Sequence, residues 1–217
     1  MTRTDFLYPF IEGDERDAGP LLVDLARSAA AKGAASLALR DRTLEDNRDR
    51  LDALAEAMAA RFDGGGRLFT FGNGGSATDA GAAAALFARP PAGRALPARS
   101  LAADAAVLSA LGNDVGFELV FSRQLIAHAA AGDMALGLST SGSSANVLHA
   151  FAEARRRGLL TAGLAGYDGG AMAASGDVDH LLVVPAQSVH RVQEVQAALL
   201  HALWHAVVAR VGEEVVS

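Results

Sequence analysis

Five hydroxyl side chains fall within six residues at Ser139, Thr140, Ser141, Ser143 and Ser144, with Gly142 between them. They follow a short apolar run, Met134–Leu138, and precede a stretch whose apolar residues Val147, Leu148 and Phe151 recur at helical steps. A strand that ends in such a loop and turns into a helix makes an anion cradle. The first amides of the helix lack partners, the helix dipole is positive there, and hydroxyls add donors. Gly142 lets the backbone come close to a bound group. The same residues also suit plain helix capping, because serine caps helices often. A nucleotide P-loop is not indicated, since G-x-x-x-x-G-K-[ST] is absent.

A second loop of this kind is FGNGGSATDAG at 71–81. Gly72, Gly74 and Gly75 allow a tight path, and Asn73 and Ser76 can bond sugar hydroxyls or phosphate oxygens. It follows RLFTF (67–71), a β-rich run. Further strands are expected at Arg99–Ala102, Met134–Leu138, Thr161–Leu164 and Leu181–Val184, each followed by a loop or helical segment. That alternation predicts an α/β fold with a parallel sheet covered on both faces, and ligands at the C-terminal strand ends. Ahead of it, helical periodicity covers Leu21–Arg40 and roughly 43–61, with Thr43 as a cap and Arg48 and Asp52 paired at i,i+4. These two helices read as packing elements between subunits. Residues 1–20 read as an arm whose Phe6, Tyr8 and Phe10 dock on the same chain or on a partner.

The chain has 217 residues, enough for one α/β domain from 21 to 217, with a helical segment (21–62) and a core (63–217). No apolar run approaches the ~20 residues of a membrane span, and the charged first 16 residues do not resemble a signal peptide. The absence of cysteine excludes disulfides and thiolate chemistry and fits a cytoplasmic location. A net charge of −6 argues against a general attraction to nucleic acid.

GNGGSATDA (72–80), GNDVGFELVFSRQ (112–124), GDMALGLSTSGSSANVL (132–148), GLAGYDGGAMA (163–173) and RVQEVQAALLHAL (191–203) occur in this order. Together they resemble the SIS-domain (sugar isomerase) branch that holds phosphoheptose isomerase and the DnaA initiator-associating protein. The resemblance spans roughly residues 20–212. It implies a three-layer αβα sandwich, flavodoxin-like, with a five-stranded parallel sheet, N-terminal helices for oligomerisation, and a homotetramer with sites at subunit interfaces. It places the sugar phosphate on Ser139, Thr140, Ser141 and Ser144, with Asn73, Gly74 and Ser76 beside it and Asn113 and Asp114 reaching the sugar. Gln193 and His201 match two positions of the isomerase's metal and catalytic centre.

In the isomerase the glycine loop leads into D-A-x-H-x-A-x-E-L, where His ligates zinc and Glu is metal ligand and base. Here those positions are Ala82 and Leu86, and the histidine of R-[IV]-Q-E-x-H is Gln196. Aldose–ketose isomerisation needs a group that takes and returns a proton, which alanine and leucine cannot supply. Gln193 and His201 alone make a poor zinc site, since catalytic zinc commonly has three protein ligands. No cofactor is therefore expected, with zinc confined to a residual site at Gln193 and His201. Glu194 and His201, seven apart on one helix, are the remaining catalytic candidates, with His205 one turn beyond His201 and His190 ahead of the helix.

Three functions follow. The leading one is a sugar-phosphate sensor or scaffold that lacks the zinc-dependent site. The second is a divergent phosphosugar isomerase using Glu194, His201 or another residue from a neighbouring subunit. The third is a protein-binding adaptor of the initiator-associating type.

Overall fold

The structure, a computed structural model, describes residues 19–212. The aromatic arm with Phe6, Tyr8 and Phe10 lies outside the described residues. The chain divides into two units, one ending at Ala38 and one beginning at Leu39. The described part of the first is helical and belongs to α1 (Gly19–Asp46). Its apolar residues Leu22, Val23, Leu25 and Leu37 are exposed.

The second unit holds the end of α1 and then α2 (Arg48–Asp63), β1 (Leu68–Gly72), α3 (Gly75–Ala88), β2 (Ala98–Ser100) and α4 (Ala105–Asp114). After a short 3-10 turn at Phe117–Leu119 come α5 (Val120–His128), β3 (Met134–Ser139), α6 (Ala145–Arg156), β4 (Leu160–Gly166), α7 (Gly170–Ala174), β5 (His180–Val184) and α8 (Val189–Val208). The five strands form one parallel sheet in the order β2-β1-β3-β4-β5. Every residue of β1, β3 and β4 is buried, as strands covered on both faces must be.

Side chains alternate across the sheet and divide the core in two. Leu68, Leu136, Leu138, Leu164 and Leu182 meet α2, α3 and α8 on one face. Phe69, Phe71 and Ala135 meet α5, α6 and α7 on the other. The expected αβα layering is present. No helix among the described residues is long and apolar enough to cross a membrane.

Two local expectations are corrected. Thr43 does not cap a helix; it lies inside α1 and is fully buried. The break falls at Asn47, whose amide side chain donates to Thr43 O (2.8 Å) and Val183 O (3.3 Å), turning it inward. Arg48 and Asp52 do not pair. Arg48 reaches back to Glu45 (2.8 Å), and Asp52 takes Arg210 from the turn after α8 (3.0 Å).

Asp133 ties the start of β1 to the turn before β3. Its side chain is 5% exposed and accepts from Arg67 N (2.8 Å), Ala130 N (2.8 Å) and the Arg67 guanidinium (2.8 Å). Burial pushes its carboxyl up, but the Arg67 guanidinium and the two amides outweigh this and hold it below the ordinary carboxylate range. Its stabilising contribution is therefore complete above the unfolded carboxyl's pKa and is lost as pH falls through the lowered folded value. Asp133→Ala strands Arg67 and two amides, and should cost about 2–3 kcal/mol in urea unfolding at pH 7. The difference from the native chain should shrink at acid pH.

Candidate functional site

The chain leaves β1 for β2 on one side and returns to β3 on the other side of β1. Paired strands whose connections diverge leave a crevice at their C-terminal ends. Gly72 and Leu138, the register partners there, open directly into the glycine loop and the serine loop.

The two loops are joined by reciprocal amide bonds. Asn73 Nδ2 donates to Asn146 Oδ1 (2.8 Å), and Asn146 Nδ2 donates to Asn73 Oδ1 (2.9 Å). Asn146, in the first turn of α6, is 4% exposed and is a site residue that sequence reasoning did not single out. A polar residue at a helix's second position next to a serine loop was the available signal. Asn73 thus spends one donor and one acceptor on holding the loops together, leaving one of each for a ligand.

Three serine hydroxyls converge. Ser139 Oγ lies 3.0 Å from Ser144 Oγ and 3.4 Å from Ser141 Oγ. Ser139 is buried, Ser144 half-buried and Ser141 exposed, so the cluster runs from the interior to solvent. Ser144 occupies the cap position of α6 but makes no side-chain capping bond. Helix capping alone therefore does not account for the serines. Ser143 faces elsewhere, accepting from Ala171 N (3.1 Å) and donating to Ser141 O (3.3 Å). The half-buried Thr140 anchors the loop through its carbonyl, which accepts from Gly166 N (3.0 Å).

Gly74 and Ser76 sit where the glycine loop enters α3, with Ser76 buried. A methyl group on Gly75 would fall 2.0 Å from Gln193 Nε2, so the Gln193 amide rests on the backbone at the start of α3. Gln193 is in this way brought to the glycine loop from α8. One turn beyond Gly75, Asp79 has a buried Oδ2 with no partner, and burial raises its carboxyl above the ordinary range. No lysine or arginine occurs in residues 72–80 or 139–146, so what these two loops themselves offer an anion is neutral donors and the helix dipole.

The other sequence candidates sit on α4 and α8. Asn113 and Asp114 end α4, are exposed and bond each other (2.9 Å). Glu194 and His201 are exposed on α8, and the His201 ring packs near Trp204 (5.5 Å) and His205 (4.7 Å). None of the four has a hydrogen bond to the serine or glycine loop among the described residues. Ala82 is exposed on α3, and Leu86 is half-buried against the α2–α3–α8 apolar cluster. No group of three or more His, Cys, Asp or Glu residues is placed to hold a metal ion among the described residues. Gln196, at the position of a family histidine, is fully buried with neither amide atom partnered.

Asp79 gives a sign-definite expectation. Because its folded pKa is raised, stability falls as pH climbs from about the ordinary carboxyl value of 3.8 through the raised one. Asp79→Asn should raise the thermal midpoint at pH 7, and that gain should disappear in scans below the ordinary value.

The SIS-domain family model matches residues 23–166. The chain is 42% identical over 172 residues to a phosphoheptose isomerase of Solidesulfovibrio magneticus, covering 76% of this chain and 81% of the relative. Among solved structures, phosphoheptose isomerase GmhA from Neisseria gonorrhoeae superposes with a TM-score of 0.77 at 37% identity, covering 84% of this chain and 98% of the other. A phosphoheptose isomerase from Francisella tularensis does so with a TM-score of 0.78 at 28% identity, covering 85% and 98%. On sequence and fold together, the chain belongs to the SIS-domain family, on its phosphoheptose isomerase branch.

Proposed function

We propose that this protein binds a phosphorylated sugar at the crevice between β1 and β3 and acts as a sensor or scaffold rather than as a zinc-dependent isomerase. The observation that carries the binding half is the convergence of Ser139, Ser141 and Ser144 at the leading end of α6, braced by the Asn73–Asn146 pair. Its relatives are named phosphoheptose isomerases, which supports a sugar phosphate as the ligand class.

The metal half rests on side-chain chemistry. Zinc is bound by imidazole, thiolate or carboxylate. Ala82 and Leu86 offer none of these, and the neighbouring His201 and His205 are joined by no third His, Cys, Asp or Glu placed to hold a metal among the described residues. The residues present do not fit the metal that the family resemblance implies, so no catalytic step is assigned to one. A second reading, a metal-free aldose–ketose isomerase, is favoured by Asp79, a carboxyl held toward its neutral form on the helix that begins at the glycine loop. In both readings the protein works as a homo-oligomer in the cytoplasm.

Calorimetric titration with sedoheptulose 7-phosphate, paired with a turnover assay with and without zinc, tests this. The expected result is saturable binding with no turnover under either condition. Zinc-dependent turnover would overturn the sensor reading, metal-free turnover abolished by Asp79→Asn would establish the second, and failure of any sugar phosphate to bind would remove both.

A further inference from the structure

At the opposite end of the strands from the serine loop, a cavity of about 250 Å³ opens where β1 and β2 begin. The five residues of β1 separate the two places by about 13 Å of strand. The inner wall is apolar and includes Phe69 and Pro97, while the polar lining is entirely cationic or imidazole: Arg67, Arg99 and His128. No acidic side chain lines it.

Strand alternation explains this grouping. Phe69 and Arg99 are register partners, so both side chains project to the same face of the sheet as that of Arg67, two residues before Phe69. That is the face covered by α5, whose last residue is His128. β2 is a three-residue edge strand, and α5 ends here, so the corner is left unfilled.

The cations are not equivalent. Arg67 is already committed. Its guanidinium bonds Asp133 (2.8 Å) and the His128 carbonyl (2.7 Å), and lies 5.5 Å from the Phe69 ring centre. The exposed side chain of Arg99 has no hydrogen bond or ion pair among the described residues. The corner thus presents an unspent guanidinium and an imidazole over an apolar wall, with Arg67 beside them already held by Asp133. A bare surface arginine carries no such wall, and an ordinary packing gap carries no such charge.

We propose that this cavity binds a small organic anion, a carboxylate or phosphate ester with a flat apolar body. The anionic group meets Arg99 and His128, and the body lies against the apolar wall. This site is separate from the sugar-phosphate crevice and does not depend on the function proposed for it.

The test is a fluorine NMR titration of the full chain with 4-fluorobenzoate, using neutral 4-fluorobenzyl alcohol as the isostere. Saturable broadening is expected for the acid and not for the alcohol. Arg99→Ala should weaken it at least tenfold, His128→Ala should weaken it several-fold, and Arg99→Lys should recover part of the loss. Both positions are exposed, so the variants should keep the native thermal midpoint. The proposal is overturned by absence of saturable broadening, by equal binding of the alcohol, or by indifference to Arg99→Ala. It is equally overturned if Ser141→Ala with Ser144→Ala abolishes the signal and Arg99→Ala does not, because the probe then sits in the serine loop.

Discussion

Gly142→Ala is expected to abolish sugar-phosphate binding and to destabilise the fold by about 2–4 kcal/mol. Gly142 has φ +63°, a left-handed conformation that alanine adopts only at a cost. A Cβ there would also lie 2.0 Å from Gly169 O and 2.6 Å from Gly169 C. Both atoms are backbone, so no side chain can swing away to make room. Relief requires the serine loop and the turn before α7 to separate. That motion would strain the Met172 N to Gly142 O bond (2.8 Å), the Gly142 N to Ser139 O bond (3.1 Å) and the Ser143 contact to Ala171 N (3.1 Å). The Ser139, Ser141 and Ser144 hydroxyls would no longer share one point. Binding should drop by more than tenfold in calorimetry, and the urea midpoint should fall. A variant that binds normally would show that the ligand does not rely on the path of this loop.

A gentler variant isolates the hydroxyls. Ser141→Ala with Ser144→Ala removes two donors and keeps Gly142 in place. Each lost charge-assisted bond is worth about 1.5–3 kcal/mol of affinity, against a small change in stability because Ser141 is exposed. Comparing the two variants separates loss of donors from loss of loop geometry.

Much of this architecture is legible in the residues. The five expected strands all occur, because apolar β-rich runs bounded by glycine, serine and aspartate allow little else. The serine loop is legible for the same reason, since hydroxyl density at a strand-to-helix turn is a local signal. What is not legible depends on distant parts of the chain. The Asn73–Asn146 bridge joins residues 73 positions apart, and nothing in either neighbourhood announces the other. Gln193 was placed by resemblance, but its seat on Gly75 depends on how α8 packs against α3. Thr43 misleads because a threonine ahead of a helical stripe looks like a cap, whereas burial of Thr43 and Asn47 carries α1 on to Asp46. Asn113 and Asp114 come to the sugar only through the resemblance; in the structure they end α4, exposed and bonded to each other.

Restoring the two side chains that the family resemblance places on α3 should create zinc binding where the native chain has none. Ala82 and Leu86 are four apart, so their side chains share one face of the helix, and α3 packs against α8, which carries Gln193 and His201. Ala82→His alone should be nearly neutral for stability, because Ala82 is exposed. Leu86→Glu is different. Leu86 is half-buried against the apolar cluster, and exchanging it for a carboxylate forfeits a part of the roughly 1.5–3 kcal/mol that a fully buried leucine gains. Without metal, the double variant should therefore unfold earlier than the native chain. Zinc binds only the folded form's assembled ligands, so at about a hundred times its dissociation constant it should return roughly 2.7 kcal/mol. The expected signature is a zinc-dependent thermal midpoint and one bound zinc per chain in Ala82→His with Leu86→Glu, and neither in the native protein. Stoichiometric zinc on the native chain would mean that other residues complete a site and that the sensor reading is wrong. A double variant that unfolds early and ignores zinc would instead show that α3 does not turn residues 82 and 86 toward Gln193 and His201, and that the resemblance fails at this helix.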